Sequence, residues 1–322
     1  MRPNIKTVVA AAAMMAAMPL APLAAQATAP LDIPSSAPSD LFSGNRSPEM
    51  LAVQILLDRS NHSPGVIDGV MGGNTRRAIE AYQRANGMPV TGTVTDSLLS
   101  QLTQGNRDLL QRYTITEEDV SGPFRPVPSG FAEKAEIDKP VYESPAEARA
   151  EKFHMAESFL KSLNPGADFG SSGTEILVVN AGRDELPTSV SRIEVDKSAN
   201  ELSAYSEAGE LVATYPTTVG SSIHPSPNTK LEVLAIASDP TYHFDPEDRS
   251  WGPDHQFTIA AGPNNPVGLV WIDLSRDGYG IHGTPEPELI GKTSSHGCVR
   301  LTNWDAIELS KAVSKGTIVE FV

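Results

Sequence analysis

Apolar residues first recur at helical spacing between positions 50 and 59, where Leu51, Val53, Ile55, Leu56 and Leu57 predict a helix. Ser63-Pro64-Gly65 stops it, and Val66-Ile67-Asp68-Gly69 reads as a turn. Asn74 or Thr75 can cap a second helix whose Ala78, Ile79 and Tyr82 share a face, ended by Asn86-Gly87. Thr95-Asp96 opens a third short helix through Leu102. Residues 145–163 keep a helical spacing that breaks near His154; Asn164-Pro165-Gly166 turns the chain, and Ile176-Leu177-Val178-Val179 is a short apolar strand.

From Arg192 the signal changes to β. Short strands are predicted at 193–195, 202–205, 211–215 and 231–234, with Ala208-Gly209 as a hairpin turn between the second and third. Further strands are expected at 267–273 and 317–322, and one late helix at 303–314, capped by Thr302 or Asn303 and ended by Gly316. Strands at this spacing with a single helix argue for a β-sandwich or β-rich sheet. Residues 240–266 read as a long loop carrying Tyr242, His243, Phe244, Trp251 and His255, and long ordered loops often wall a cleft.

The chain ends read differently. Residues 1–27 carry Arg2 and Lys6, then an Ala/Val/Met-rich run, then Ala25-Gln26-Ala27, which fits a cleavable secretory signal. The run is broken by Pro19 and Pro22 and is short for a membrane span. Residues 28–46, rich in Pro, Ser and Ala, read as a flexible linker. Removing residues 1–27 takes the net charge from −15 to −17, which argues against nucleic acid as partner. One cysteine in an exported chain forms no internal disulfide, so chemistry is its leading explanation.

Candidate chemistry concentrates at 281–300. Ile281-His282-Gly283 is followed by a turn-rich loop and then by Ser295-His296-Gly297-Cys298-Val299-Arg300, which holds the single cysteine and two of the seven histidines. A thiol nucleophile needs a base within reach and a third group to orient that base; by position, His282 and His296 are both candidates. Gly283 and Gly297 would let backbone approach a reacting centre without a Cβ. A lone cysteine is also commonly a small buried hydrophobe, and position alone leaves that alternative open. His282 precedes the cysteine, the reverse of papain-like proteases. His243, His255, His282 and His296 match no common zinc spacing, so no metal is expected, and no cofactor.

The order His-Gly, loop, Ser-His-Gly-Cys, apolar residue, Arg resembles the signature of the L,D-transpeptidase (YkuD-type) catalytic domain. The resemblance covers Arg192 to the C-terminus and implies the mixed β-sandwich of that fold, here at 191–322 of an α+β multidomain chain. It implies Cys298 as the acyl-accepting nucleophile and His282 as the base, oriented by the carbonyl of Gly283. His296 would line the site, and Arg300 would hold the loop or a substrate carboxylate; Ser295 and Trp251 are the other expected substrate contacts. Two backbone N–H groups near Gly297 and Cys298 would stabilise the oxyanion. The implied reaction joins peptidoglycan stems by way of a thioester, with release of a terminal D-Ala. The acceptor is open: a stem amine gives a cross-link, water gives an L,D-carboxypeptidase or a hydrolase of wall-attached protein, and a protein lysine gives an anchoring enzyme whose partner would be a wall-anchored outer-membrane protein.

Between 47 and 104, the string Gln54, Pro64-Gly65, Asp68-Gly69, Gly72, Thr75-Arg76, Ala78, Tyr82-Gln83, Gly87 and Val90-Thr91-Gly92 resembles a peptidoglycan-binding domain, in which Asp68, Asn74 and Arg76 are candidate ligand contacts. The connecting region at 105–190 faintly resembles, from Glu147 to Val179, the second half of a LysM repeat, and a structural spacer is the alternative. Together these imply an exported enzyme of the periplasm or cell envelope acting on peptidoglycan. A non-catalytic wall-binding protein is the competing class, disfavoured because every signature position is present.

Overall fold

The structure, a computed structural model, describes residues 38, 40–104, 108–182, 185–246 and 254–322. The expected signal segment, most of the expected linker, and Trp251 lie outside the described residues. Three helices open the described chain: α1 (Pro48–Asp58), α2 (Gly73–Ala85) and α3 (Asp96–Leu102). Ser47 and Thr95 cap α1 and α3, their hydroxyls accepting from Met50 N and Leu98 N. The expected caps of α2 serve elsewhere. Gly72 is its N-cap, Asn74 Nδ2 donates to Ile290 O at 3.0 Å, and Thr75 Oγ1 accepts from Gln54 Nε2 at 3.1 Å.

Every residue of α1 from Met50 to Asp58 is buried, because the helix is covered on all sides. Its second layer comes from the connecting region, which runs β1 (Leu110–Thr114), α4 (Glu117–Val120), α5 (Phe131–Ala135), α6 (Pro145–Lys152), α7 (Glu157–Leu163) and β2 (Glu175–Val179). β1 and β2 pair antiparallel, and α6 and α7 are separated at His154, whose φ of 56° takes it out of the helical region. One apolar cluster joins Leu51, Ile55 and Leu98 to Phe159, Leu160 and Val178, so residues 47–102 and the connecting region share a single core.

The C-terminal part is one curled sheet of eight strands, the form taken here by the expected β-sandwich. Its strands are β3 (Arg192–Asp196), β4 (Glu201–Tyr205), β5 (Leu211–Pro216), β6 (Lys230–Ser238), β9 (Val270–Leu274), β10 (Gly280–His282), β11 (Val299–Arg300) and β12 (Ile318–Phe321). They lie in the order β11-β10-β9-β6-β12-β3-β4-β5. β10–β11 and β12–β3 are parallel and the other pairs antiparallel. β7 (Tyr242–Phe244) and β8 (Phe257–Ile259) form a separate hairpin inside the segment expected as a loop. Helix α8 (Asn303–Ala312), capped by Thr302, lies against the sheet, whose core includes Ile193, Val233, Ile272, Ile281 and Leu309.

The two halves meet along β5. Ser63 N donates to Thr214 O and Thr214 N to Asn61 O, both at 2.9 Å, which extends that sheet edge into the N-terminal unit and covers it. His62 and His154, unremarkable by sequence spacing, are buried at this junction. His62 Nδ1 lies 2.9 Å from Thr214 Oγ1; His154 stacks on Trp304 with ring centroids 5.2 Å apart and faces Asp58 at 3.1 Å.

Candidate active site

The site is set by the parallel pairing of two very short strands. β10 and β11 align Ile281 with Val299 and His282 with Arg300. Cys298 is the residue before β11, so this register carries the thiol to the end of the strand that holds His282. Cys298, His282, His296, Ser295 and Arg300 all line one cleft of about 540 Å³.

His282 is 4 % exposed, and its Nδ1 lies 2.6 Å from the carbonyl oxygen of Gly283. A carbonyl only accepts, so Nδ1 carries the proton and Nε2 is left with a lone pair. Trp271 stacks on the ring at 5.5 Å and 21°. Burial pushes the imidazole pKa down to about 3, the positive charge of Arg300 acts in the same sense, and the Gly283 carbonyl opposes both. His282 is therefore neutral at any physiological pH. Gly283 is fixed in turn by Asn303, whose Oδ1 lies where a Cβ on Gly283 would fall and also accepts from Leu269 N at 3.1 Å.

The cysteine loop is shaped by two serines. Ser295 Oγ donates to Cys298 O at 2.5 Å and accepts from Gly297 N at 3.0 Å. Ser226 Oγ donates to Gly297 O at 2.7 Å and accepts from Gly220 N at 2.8 Å. Gly297 has φ +121°, and a Cβ there would come 2.9 Å from Tyr279 Cε1, so only glycine fits. Its N–H, expected as an oxyanion donor, donates to Ser295 Oγ. Cys298 Sγ is 3.4 Å from Gly278 O.

Arg300 is tied by backbone bonds in both directions to Thr218, at 2.9 and 3.0 Å, and Thr217 Oγ1 donates to its carbonyl at 2.8 Å. Desolvation lowers the guanidinium pKa, while the negative forms of Cys298, Glu286 and Tyr242 act in the opposite sense. Among the described residues it makes no ion pair, which leaves a half-buried cation beside the thiol. His296 is exposed, with its ring 5.1 Å from that of His224. The two signature histidines thus sit differently: His282 is inside and fixed, and His296 is at the solvent edge.

Sequence spacing gave no hint of Ser226, Trp271, Asn303 or Phe131, which reach the site or its supports from four separate segments. Of the candidate wall contacts in the N-terminal domain, Asp68 Oδ1 accepts from Gln54 Nε2 and Val70 N, and Asn74 bonds the catalytic domain; Arg76 is exposed. His243 is held by Thr241 and Thr258 on the β7–β8 hairpin.

Residues 191–321 match the family model for the L,D-transpeptidase catalytic domain, and residues 46–102 match that of a "Putative peptidoglycan binding domain". A relative from Bacillus licheniformis named "Putative L,D-transpeptidase YkuD" is 32 % identical over 54 % of this chain and 90 % of its own length. The "Probable L,D-transpeptidase YbiS" of Escherichia coli K12 is 32 % identical over 55 % of this chain and 60 % of its own. Among solved structures, an L,D-transpeptidase of Xylanimonas cellulosilytica aligns over 87 % of this chain and 95 % of that one, at 18 % identity and a TM-score of 0.37. The chain belongs to the L,D-transpeptidase family. It is an enzyme with a peptidoglycan-binding domain ahead of its catalytic domain. No helix among the described residues is long and apolar enough to cross a membrane.

Proposed function

We propose that Cys298 is the nucleophile of a peptidoglycan cross-linking reaction in which His282 is the base. The observation that carries this is the Nδ1–H bond from His282 to Gly283 O, which leaves an unprotonated nitrogen with its lone pair on a neutral ring in the cleft that holds the thiol. Cys298 Sγ gives its proton to His282 Nε2 and attacks the carbonyl carbon between the L-centre of a diaminopimelate residue and the terminal D-Ala of a stem tetrapeptide. The C–N bond breaks, and the D-Ala amine leaves with the proton returned by His282. An amine of a second stem then attacks the thioester, the C–S bond breaks, and the thiol is regenerated. Arg300 holds a substrate carboxylate next to the reacting carbonyl, and Ser295 keeps the loop in shape while lining the same cleft.

The enzyme acts outside the cytoplasmic membrane, in the periplasm or cell envelope, where its polymeric substrate is. The N-terminal domain holds the protein on that polymer and raises the local concentration of stems. Incubating the purified protein with disaccharide-tetrapeptides and identifying the products by mass spectrometry tests the reading. Dimers with loss of D-Ala support it; monomeric tripeptide alone would make water the acceptor; unchanged tetrapeptide would overturn it.

A further inference from the structure

Between β1 and α6 the chain makes an excursion that the rest of the connecting unit does not need. Helix α4 stays at home, with Asp119 taking bonds from Tyr113 Oη and from Lys152 Nζ. The chain then crosses to the catalytic domain and returns. Its two limbs are clipped together by Arg125 Nη2 to Lys139 O at 3.0 Å and Val127 N to Glu143 Oε1 at 2.9 Å. Its base is clipped to the catalytic domain by Asn264, which donates from N to Pro140 O at 3.0 Å and from Nδ2 to Val141 O and Glu147 Oε1, both at 2.9 Å. The excursion carries α5 at its far end.

Phe131, the first residue of α5, stacks on Tyr242 with centroids 5.8 Å apart at 26° and lies 6.2 Å from Phe257 at 31°. Phe131 and Tyr242 both line the cleft that contains Cys298 and Arg300. Lys134, on the same short helix, is near enough to Glu286 to feel its charge, and Glu286 also faces Arg300.

We infer that the strap formed by residues 121–140 is part of the catalytic site, and that Phe131 is a specificity-determining residue against which the stem peptide packs. The inference rests on the reading of Cys298 as a nucleophile for stem peptides. The aromatic pair gives an apolar wall, and Arg300 beside it gives a cation. Such a site suits a ligand with an aliphatic side chain next to a carboxylate, which is the chemistry of a stem ending in diaminopimelate and D-Ala. Phe131, one half of this wall, belongs to the connecting region, so the catalytic domain alone would keep only Tyr242 on that side.

The test uses the full chain and three measurements: release of D-Ala from disaccharide-tetrapeptide, alkylation of Cys298 by iodoacetamide, and thermal melting. Phe131→Ala should raise KM about tenfold, as truncating a central aromatic contact does, while kcat changes by less than about twofold. Iodoacetamide, too small to need the wall, should alkylate wild type and Phe131→Ala at equal rates. Phe131→Tyr, which keeps the ring, should recover the KM. An unchanged KM in Phe131→Ala would overturn the inference. So would a loss shared equally by alkylation and melting temperature, since the ring would then only support the fold. If wild type releases no D-Ala, the reading of Cys298 fails. The wall is then judged by equilibrium binding of tetrapeptide in a Cys298→Ala background, where Phe131→Ala must weaken binding about tenfold for the inference to stand.

Discussion

His282 gives its Nδ1 proton to the carbonyl of the residue that follows it, Gly283, at 2.6 Å. Orientation of this imidazole thus needs no third side chain. A backbone carbonyl performs the task, and Asn303 packed against Gly283 holds that carbonyl still. His296 is exposed, with its ring next to that of His224.

Reaction with a carbapenem separates the roles of the two histidines. A strained lactam carbonyl needs an activated thiol, and the chain has one cysteine. Intact-mass spectrometry over time should show one adduct on wild type and none on Cys298→Ala. His282→Ala should slow acylation by about 10²-fold or more, the usual contribution of a positioned base. His296→Ala should slow it less. A normal rate in His282→Ala with a large loss in His296→Ala would reverse the assignment.

The acid side of the rate profile follows from the burial of His282. Its pKa is held near about 3, so the basic form persists well below the ordinary histidine range. The ring is neutral at every pH above that value. Carbapenem acylation should therefore show no inflection at pH 6–7 attributable to this residue, and should stay level as pH is lowered from 7 to about 5. A tenfold drop per pH unit beginning near 6.5 would mean that an ordinary, solvated histidine is the base.

Ser226 should matter to catalysis without touching substrate. Its hydroxyl bridges Gly220 N and Gly297 O while 6 % exposed. Ser226→Ala leaves a buried donor and a buried acceptor unmet, a loss of about 1–3 kcal/mol in stability. Release of the Gly297 carbonyl also lets the cysteine loop drift, and displacements on the order of 1 Å at a nucleophile cost up to about 10² in rate. Thermal melting and D-Ala release measure the two effects. Full activity in a folded Ser226→Ala protein would show that Ser295 alone fixes the loop.

Much of this was legible in the sequence, but unevenly. Strands β3, β4 and β5 are five or six residues long, carry β-rich segments and are bounded by Gly, Asn or Pro, so periodicity finds them. β10 and β11 are three and two residues long, too short for any period, yet their register makes the site. The signature around Cys298 brought out the cysteine and both histidines because they are close in sequence. Ser226, between two prolines, and Phe131, in a segment without periodicity, reach the site only through tertiary contacts. The junction was hidden for the same reason. Leu57 and Phe159 lie in separate helical stretches, and nothing local says that they share one core.

That junction makes stability fall with alkalinity. Glu308 on α8 accepts from Tyr215 Oη at 2.7 Å and faces Asp305, Asp58 and His154. Burial pushes its carboxyl up to about 8, and the negative charges of Asp305 and Asp58 add to the effect; Asp305, likewise buried, is raised to about 7. A carboxyl whose folded pKa is raised keeps its proton in the folded state while the unfolded chain has lost it. The folded state is therefore destabilised as pH rises from the unfolded carboxylate value to the folded one, by about 1.4 kcal/mol per pH unit for each fully displaced group. His62 and His282, held at about 4 and about 3, oppose this only below about 6.5, where unfolded histidine binds a proton. Between pH 6.5 and 8 the carboxyls act without that opposition. The melting temperature should fall across this window, and Glu308→Gln, which keeps an oxygen for the Tyr215 hydroxyl but cannot ionise, should fall less steeply. Differential scanning calorimetry at half-unit pH steps makes the comparison. Parallel slopes for wild type and Glu308→Gln would show that Glu308 is already ionised in the folded protein.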